Sequence, residues 1–218
     1  MARTNKEILI VDDSLAIRTS MSIVFKEMGH RVRIAEDGFA ALRQVRQDIT
    51  DILITDLNMP GMSGFELLYV FRQRFPAIQT IAMSGSSSRG EVFPGVVADA
   101  FFQKGQGIEG LMRIMARLAQ TERRAPHPSS AVLPLRIERS AYHSSQDASA
   151  SIPCPECLRT FTAPFAGNGD RLMEAQCLHC GFSIQYAIVQ QSNQTNLQAS
   201  QFRRSATVRS QNAPGFSY

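Results

Sequence analysis

Five polar residues stand at, or just after, the ends of short apolar segments that have the composition of buried strands. They are Asp12, Asp13, Asp56, Ser84 and Lys104. Three carboxylates in one crevice repel each other unless a cation joins them, and oxygen ligands suit a hard ion such as Mg²⁺. A lysine ammonium and a serine hydroxyl suit the oxygens of a phosphate group. The chemistry indicated is the attack of a carboxylate on phosphorus, which gives an acyl phosphate.

These residues reach one site only if the segments before them are parallel strands of a single sheet. Strand-like segments occur at Glu7–Val11, Val32–Ala35, Asp51–Thr55, Thr80–Ser84 and Ala100–Phe102. Helical patterns lie from Ile17 to Met28 and at Gly38–Gln47, Phe65–Arg74, Val92–Val97 and Ile108–Ala119. Strands that alternate with helices predict an α/β fold, a doubly wound parallel sheet in the order 2-1-3-4-5. The carboxyl ends of its strands meet at one edge, where such sheets bind ligands.

The polar residues belong to four motifs that follow one another along the chain. The motifs are Val11-Asp12-Asp13-Ser14, the segment from Asp56 to Glu66, Met83-Ser84-Gly85 and Phe101-Phe102-Gln103-Lys104. In this order and spacing they resemble the CheY-like receiver domain of two-component response regulators. The resemblance covers residues 1–121 and implies a flavodoxin-like sheet of five parallel strands. It also implies phosphorelay signal transduction by a phosphoprotein that is not an enzyme, apart from slow self-dephosphorylation.

The resemblance assigns a role to each residue of the site. Asp56 would accept a phosphoryl group from a histidine kinase or a phosphotransfer protein. Asp12, Asp13 and Asp56 would hold Mg²⁺ together with the main-chain carbonyl of Asn58. Lys104 would contact the phosphate group.

Two further positions resemble the switch of a receiver domain. Ser84 stands at the hydroxyl position and Phe101 at the aromatic position. On phosphorylation the hydroxyl would move toward the phosphate and the ring would turn inward. This would change the face formed by the fourth helix, fifth strand and fifth helix, and so control partner engagement or dimerisation. The alternatives are a serine without function and an ordinary core aromatic.

The residue after Lys104 departs from the family. Receivers usually continue into proline through a cis peptide bond, whereas Gly105 follows here. A cis bond without proline costs about 3 kcal/mol. The sequence leaves the geometry of this peptide open, and with it the direction of the Lys104 side chain.

All 4 cysteines lie in the second half of the chain, as two C-x₂-C pairs. They are Cys154, Cys157, Cys177 and Cys180. This spacing resembles a zinc ribbon, in which four thiolates hold one Zn²⁺ in a tetrahedron. The segments Arg159–Ala163 and Leu172–Ala175 are expected to pair, with Phe182–Tyr186 as a third strand. His179 lies inside the second pair and is expected to be a bystander, and disulfides or redox pairs are the alternative to zinc.

The predicted organisation has four parts. Residues 1–121 form the receiver, 122–151 a linker, 152–189 the zinc-ribbon module and 190–218 a disordered tail. The linker is rich in Pro, Ser, Arg and His and holds one extended piece, Val132–Ile137. The tail contains Arg203, Arg204 and Arg209, which are expected to be solvated, with contact to nucleic acid or to an acidic partner as the alternative.

Composition indicates the cellular compartment of the protein but does not identify the target of the zinc ribbon. The chain has 44% hydrophobic residues and a net charge of +4, which permits a nucleic-acid partner without requiring one. Without an apolar run of about 18 residues or a signal-peptide core, a cytoplasmic protein with no membrane partner is expected. The ribbon would be a docking module for an unknown protein or nucleic acid. The alternatives are a DNA-binding transcriptional regulator that uses the ribbon and the basic tail, and a phosphohydrolase with an Asp nucleophile.

Overall fold

The structure is a computed structural model, which describes residues 5–85, 98–120, 132–136, 149–164 and 172–189. The first two ranges contain the strands β1 (Glu7–Val11), β2 (Arg31–Ala35), β3 (Ile52–Asp56), β4 (Gln79–Ser84) and β5 (Ala100–Gln103). They also contain the helices α1 (Leu15–Glu27), α2 (Gly38–Gln47), α3 (Gly64–Arg74) and α4 (Gly107–Gln120). The helix predicted at Val92–Val97 lies outside the described residues. Among the described helices, none is long and apolar enough to cross a membrane.

The first five strands form one sheet in the order β2-β1-β3-β4-β5. Every neighbouring pair is parallel, and Val11 of β1 lies between Ala35 of β2 and Thr55 of β3. The predicted α/β fold and its strand order are confirmed. The carboxyl ends of β1, β3 and β5 therefore share one edge of the sheet.

Alternate residues of each strand pack on opposite faces of this sheet. Ile8 and Ile10 of β1 pack with α1 and α4, whereas Leu9 and Val11 pack with α2 and α3. All four side chains are fully buried. A near-continuous apolar strand is what a sheet covered on both faces requires, because side chains alternate with a period of two.

Local signals fix the ends of the helices. Gly29 has a φ of +89° directly after the end of α1, a conformation that favours glycine. A capping box starts α3, since the Ser63 hydroxyl accepts from the Glu66 N–H and the Glu66 carboxylate accepts from the Ser63 N–H at 2.6 Å. The next N–H, that of Gly64, donates to the Leu57 carbonyl. The start of α3 is thereby attached to the residue that follows Asp56.

The remaining described residues form five short strands in two sheets. They are β6 (Val132–Arg136), β7 (Ser149–Pro153), β8 (Thr160–Pro164), β9 (Met173–Gln176) and β10 (Ser183–Val189). β7 pairs with β8 and β9 pairs with β10, both antiparallel, while β6 lies parallel to β10. The expected pairing of Arg159–Ala163 with Leu172–Ala175 is wrong. Each C-x₂-C turn closes its own hairpin, so the strands on either side of one turn pair with each other.

The predicted linker, residues 122–151, is not free of regular structure. It contains β6, where an extended piece was expected, and the first residues of β7. β6 completes the sheet of β9 and β10. The predicted tail, residues 190–218, lies outside the described residues, and the domain boundaries stay a prediction.

The C-terminal strands pack against the receiver at α3. Residues Gly64–Phe71 of α3 are all buried, although a surface helix normally exposes one face. β6 contacts α3, and its Leu133 and Leu135 belong to the same core as Leu9 and Leu53 of the parallel sheet. The helix α3 therefore lies between the parallel sheet and the C-terminal strands.

Candidate functional site

The predicted site residues converge at the carboxyl ends of the parallel strands. Asp12 and Asp13 follow β1, Asp56 is the last residue of β3, and Lys104 follows β5. Carboxylate oxygens of the three aspartates lie within 4.8 Å of one another. Asp12 is fully buried and Asp56 is 4% exposed, whereas Asp13 is exposed. The acidic cluster therefore opens to solvent on the side of Asp13.

Lys104 joins two of these carboxylates. Its Nζ lies 2.8 Å from Asp12 Oδ2 and 2.9 Å from Asp56 Oδ2. The Lys104 N–H donates to the Ser84 carbonyl at 2.8 Å, which attaches the lysine main chain to the end of β4. No cis peptide bond occurs in the described residues, and Gly105 has a φ of +97°. With a trans peptide on its carboxyl side, Lys104 still reaches both carboxylates.

The donor set fits Mg²⁺. The cluster offers only oxygen ligands, which hard cations prefer, and it carries three carboxylates against one ammonium. Asp12 Oδ2 contacts Lys104 Nζ but accepts no well-directed hydrogen bond from the described residues. An acceptor that is buried with spare capacity, next to two other carboxylates, is suited to a cation.

The pKa shifts within the cluster also favour a bound cation. Burial raises the pKa of Asp56 and the neighbouring Asp12 charge raises it further, while Lys104 and the Asn58 N–H lower it in part. Burial lowers the pKa of Lys104, but its close ionic contacts with the Asp12 and Asp56 carboxylates more than offset this and raise the pKa. The ammonium thus stays charged, and one added cation would relieve the repulsion between the carboxylates.

Ser84 and Phe101, the two predicted switch residues, lie in the adjacent strands β4 and β5. Ser84 ends β4, the strand next to β3, and is half-buried. Phe101 lies in β5 and is 47% exposed, while the adjacent Phe102 belongs to the core. Phe101 is therefore not an ordinary core aromatic in this structure.

Two residues support the site in ways that the sequence did not indicate. Arg18 of α1 is buried, and its guanidinium donates to the main-chain carbonyl of Asp12. A Cβ on Gly64 would lie 1.9 Å from the Asp56 carbonyl oxygen, so only glycine fits there. The glycine was visible in the motif, but its contact with Asp56 is a tertiary feature. In the sequence, Arg18 looks like any polar residue on the exposed face of a surface helix.

The four cysteines also come together. Their sulfurs lie within 4.8 Å of one another, with Cys154 Sγ 3.7 Å from Cys180 Sγ and Cys157 Sγ 3.7 Å from Cys177 Sγ. With Zn–S bonds of about 2.3 Å, a tetrahedron has edges of about 3.8 Å. A disulfide needs about 2.05 Å, and all four cysteines are free. The four sulfurs therefore fit one Zn²⁺ ion.

The two cysteine turns have the same main-chain geometry. The Leu158 N–H donates to the Cys154 carbonyl, and the Gly181 N–H donates to the Cys177 carbonyl. Leu158 and Gly181 have φ values of +56° and +75°. The His179 ring Nε2 lies 3.1 Å from the Thr160 carbonyl oxygen, and the ring is not part of the sulfur cluster.

The sulfur cluster lies close to the receiver. Burial raises the pKa of Tyr69 of α3, and the charge of Cys154 raises it further. Burial also raises the pKa of Cys154 itself. Burial raises the pKa of Cys177 too, but the N–H groups of His179 and Cys180, together with the Cys157 and Cys154 side chains, outweigh it and lower that pKa. A metal here would be bound within reach of α3.

Comparison with known proteins agrees with this geometry. Residues 8–117, half of the chain, match the model of the response regulator receiver domain family. The chain belongs to this family, and the prediction of a two-component receiver is confirmed. Receiver domains bind Mg²⁺ at an acidic pocket such as the one formed here by Asp12, Asp13 and Asp56, and they interact with histidine kinases or phosphotransfer proteins.

Individual relatives cover different shares of the chain. It is similar to the transcriptional regulatory protein ZraR of Klebsiella oxytoca, at 32% identity over 40% of this chain and 20% of ZraR. It is also similar to the transcriptional regulatory protein AfsQ1 of Streptomyces coelicolor, at 26% identity over 82% of this chain and 80% of AfsQ1. Among solved structures, the chemotaxis response regulator CheY4 of Vibrio cholerae is 29% identical with a TM-score of 0.50, covering 53% of this chain and 99% of CheY4. The chain spans only about a fifth of the length of ZraR.

Proposed function

We propose that this protein is a cytoplasmic response regulator in which Asp56 accepts a phosphoryl group from a histidine kinase or a phosphotransfer protein. The phosphorylation state then controls the engagement of a partner. The main support is the position of Lys104 Nζ, 2.8 Å from Asp12 and 2.9 Å from Asp56, beside a third carboxylate. This arrangement can hold one cation and one phosphate group together.

The transfer step follows from these positions. A carboxylate oxygen of Asp56 attacks the phosphorus of a phosphohistidine, and the P–N bond breaks as the P–O bond forms. The electron pair goes to the histidine ring nitrogen, which takes up a proton from water. Asp12, Asp13, Asp56 and the Asn58 main-chain carbonyl would hold Mg²⁺, which would supply positive charge to neutralise the phosphate oxygens. Lys104 remains held by Asp12 and contacts the phosphate after Asp56 has become an acyl phosphate.

The switch residues would connect the acyl phosphate to the surface. The Ser84 hydroxyl moves toward the phosphate, and the exposed Phe101 ring turns inward into the space this opens. The change alters the surface around β5 and α4, which lies on the other face of the sheet from α2 and α3. That surface then engages a partner or a second copy of the chain.

Phosphorylation by a small donor tests this proposal. After incubation with acetyl phosphate and Mg²⁺, intact mass spectrometry should show one added phosphoryl group. Asp56→Ala should remove it, whereas Asp48→Ala, at an exposed aspartate after α2, should not. An Asp56→Ala variant that is still labelled as fully as the wild type would contradict the proposal.

We also propose that the cysteine module is a structural zinc ribbon that docks a partner protein. Four sulfur ligands leave no open position for catalysis. The protein purified under reducing conditions should contain one zinc per chain. Cys177→Ser should lower the zinc content, while His179→Ala should not. Less than one zinc per chain in the wild type would count against the ribbon.

DNA binding is the second candidate function, because ZraR and AfsQ1 are both named transcriptional regulatory proteins. In the described residues beyond 120, however, only strands and cysteine turns occur, and no helix is present to enter a DNA groove. A DNA affinity that falls steeply with salt would support this candidate. No binding at low salt would dismiss it.

A phosphohydrolase with an Asp nucleophile is less well supported. Such enzymes usually place the nucleophile after the first strand, whereas Asp56 ends β3. We propose slow self-dephosphorylation in place of turnover. Sustained hydrolysis of small phosphate esters would favour the enzyme instead.

A further inference from the structure

A cleft of about 260 Å³ lies where the C-terminal module meets α2. Its apolar floor consists of Phe39, Leu42 and Leu158. Its rim carries three arginines, Arg43, Arg46 and Arg159. The receiver supplies the residues from α2, and the first cysteine turn supplies Leu158 and Arg159. The cleft therefore exists only in the docked arrangement of the two parts.

The charge of the rim is not balanced locally. All three arginines are exposed, and none of them forms an ion pair with another residue in the described ranges. Three guanidinium groups around so small a space produce a positive potential that favours an anionic ligand. Arginine also binds carboxylates in a bidentate manner.

The apolar floor restricts the kind of anionic ligand that fits the cleft. Leu42 and Leu158 are buried, and Phe39 is half-buried with its ring packed against Gly61 in the loop after Asp56. Leu158 has a positive φ, which costs about 1 kcal/mol for a residue with a Cβ. Its burial against α2 offsets this cost, so the floor is a packed apolar surface. A ligand that contacts both the apolar floor and the arginine rim needs an apolar group flanked by negative charges.

We propose that this cleft binds an acidic peptide segment of a partner protein, with an apolar side chain on the floor and carboxylates against the arginines. This deepens the proposed function by naming the surface through which the docked ribbon engages its partner. The chain's own C-terminal end is unsuited to the cleft, because no acidic residue follows Glu174 and Arg203, Arg204 and Arg209 are basic. The phosphate groups of a nucleic acid could pair with the arginines, but a nucleic acid has no aliphatic side chain to cover the floor.

Fluorescence anisotropy with the zinc-loaded full chain tests this assignment. The probe is a short fluorescein-labelled peptide of aspartates and glutamates around a central leucine and phenylalanine. We expect saturable binding that weakens as salt is added. The double substitution Arg43→Glu and Arg159→Glu should weaken binding by about tenfold or more, since it reverses two rim charges. The matched control is Arg74→Glu at the end of α3, an exposed arginine outside the cleft lining, which should bind as the wild type does.

Three results would overturn the proposal. They are no saturable peptide binding, equal binding by the double variant with wild-type zinc content, and tighter binding of a duplex oligonucleotide that the same substitutions abolish. The last result would assign the cleft to nucleic acid. The binding experiment contains no phosphoryl donor, so its result does not depend on phosphorylation of Asp56. A failure of peptide binding is therefore distinguishable from a failure of the proposed phosphorylation.

Discussion

Asp12 and Asp56 are two buried carboxylates that share the ammonium group of Lys104. Burial raises the pKa of Asp56 above its ordinary value of 3.8, despite Lys104. The folded state therefore binds a proton at Asp56 at a higher pH than the unfolded chain does. At a pH above the pKa of Asp56 in the folded state, the charged Asp56 lowers the free energy of unfolding. This destabilisation disappears as the pH falls below 3.8, where Asp56 is protonated in both states.

We therefore expect Asp56→Asn to unfold at a higher temperature than the wild type at pH 7 without Mg²⁺. The neutral amide avoids both the burial of a charge and the repulsion by Asp12, while Lys104 keeps Asp12 as a partner. The difference should shrink as the pH approaches 4, and Mg²⁺ should stabilise the wild type more than the variant. Calorimetry measures all three effects, with Asp48→Asn as the exposed control. An Asp56→Asn variant less stable than the wild type at pH 7 would contradict this account.

Gly64 is the second residue whose replacement is informative. Because a Cβ there meets the Asp56 carbonyl oxygen at 1.9 Å, Gly64→Ala must displace either the end of β3 or the start of α3. We expect a loss of about 2–3 kcal/mol in the free energy of unfolding. Phosphorylation by acetyl phosphate should also slow, since Asp56 moves.

Gly110→Ala is the matched control for this change. A Cβ at Gly110 meets the Phe102 ring at 3.4 Å, an ordinary contact, and alanine favours the helix. This variant should be as stable as the wild type or more stable. Equal stability of Gly64→Ala and Gly110→Ala would show that the start of α3 does not constrain Asp56.

At the level of elements, α3 joins the two parts of the molecule. Five consecutive residues, Leu67–Phe71, are buried, although a helix that packs on one face alone should expose some of them. An apolar segment of this kind predicts a helix covered on more than one side. The sequence contains this signal, but nothing in the linker, including its extended piece Val132–Ile137, indicates which segment covers the second side of α3.

The contact between β6 and α3 can be tested with one leucine. Leu135 is buried, so Leu135→Ala should lower the free energy of unfolding by about 2–4 kcal/mol. Hydrogen exchange should show faster exchange in α3, because the outer cover of the helix is loosened. Leu172→Ala changes a leucine that is 54% exposed and should alter neither quantity. Unchanged exchange in α3 of Leu135→Ala would mean that β6 does not cover the helix.

In the whole molecule, the cysteine cluster joins the β7–β8 and β9–β10 hairpins, and we expect a metal bound there to hold these strands in place beside α3. Metal binding supplies folding free energy to small modules that bury little apolar surface. Removing zinc with a chelator should therefore lower the melting temperature and increase hydrogen exchange in α3, through loss of contacts such as that of Tyr69. The variant Cys154→Ser with Cys177→Ser should not respond to the chelator. Full protection of α3 after zinc removal would show that docking is independent of the metal.

The sequence predicted the receiver well because its signals are local. Strand bounds, the order of the sheet and the convergence of Asp12, Asp56 and Lys104 follow from apolar runs and from polar residues at their ends. The strand pairing in the ribbon was wrong, because short polar strands carry little register information and the cysteine turns determine the hairpins. Docking on α3, and the cleft it creates with α2, depend on contacts between distant segments that no local pattern specifies.

Locating the phosphoryl group on the chain tests the central claim most directly. After labelling with acetyl phosphate and Mg²⁺, borohydride reduces an acyl phosphate to an alcohol, and peptide mass spectrometry then identifies the changed residue. We expect a single reduced side chain, that of Asp56, and none when Mg²⁺ is withheld. A modification at any other residue, or a labelled protein in which Asp56 is unchanged, would contradict it.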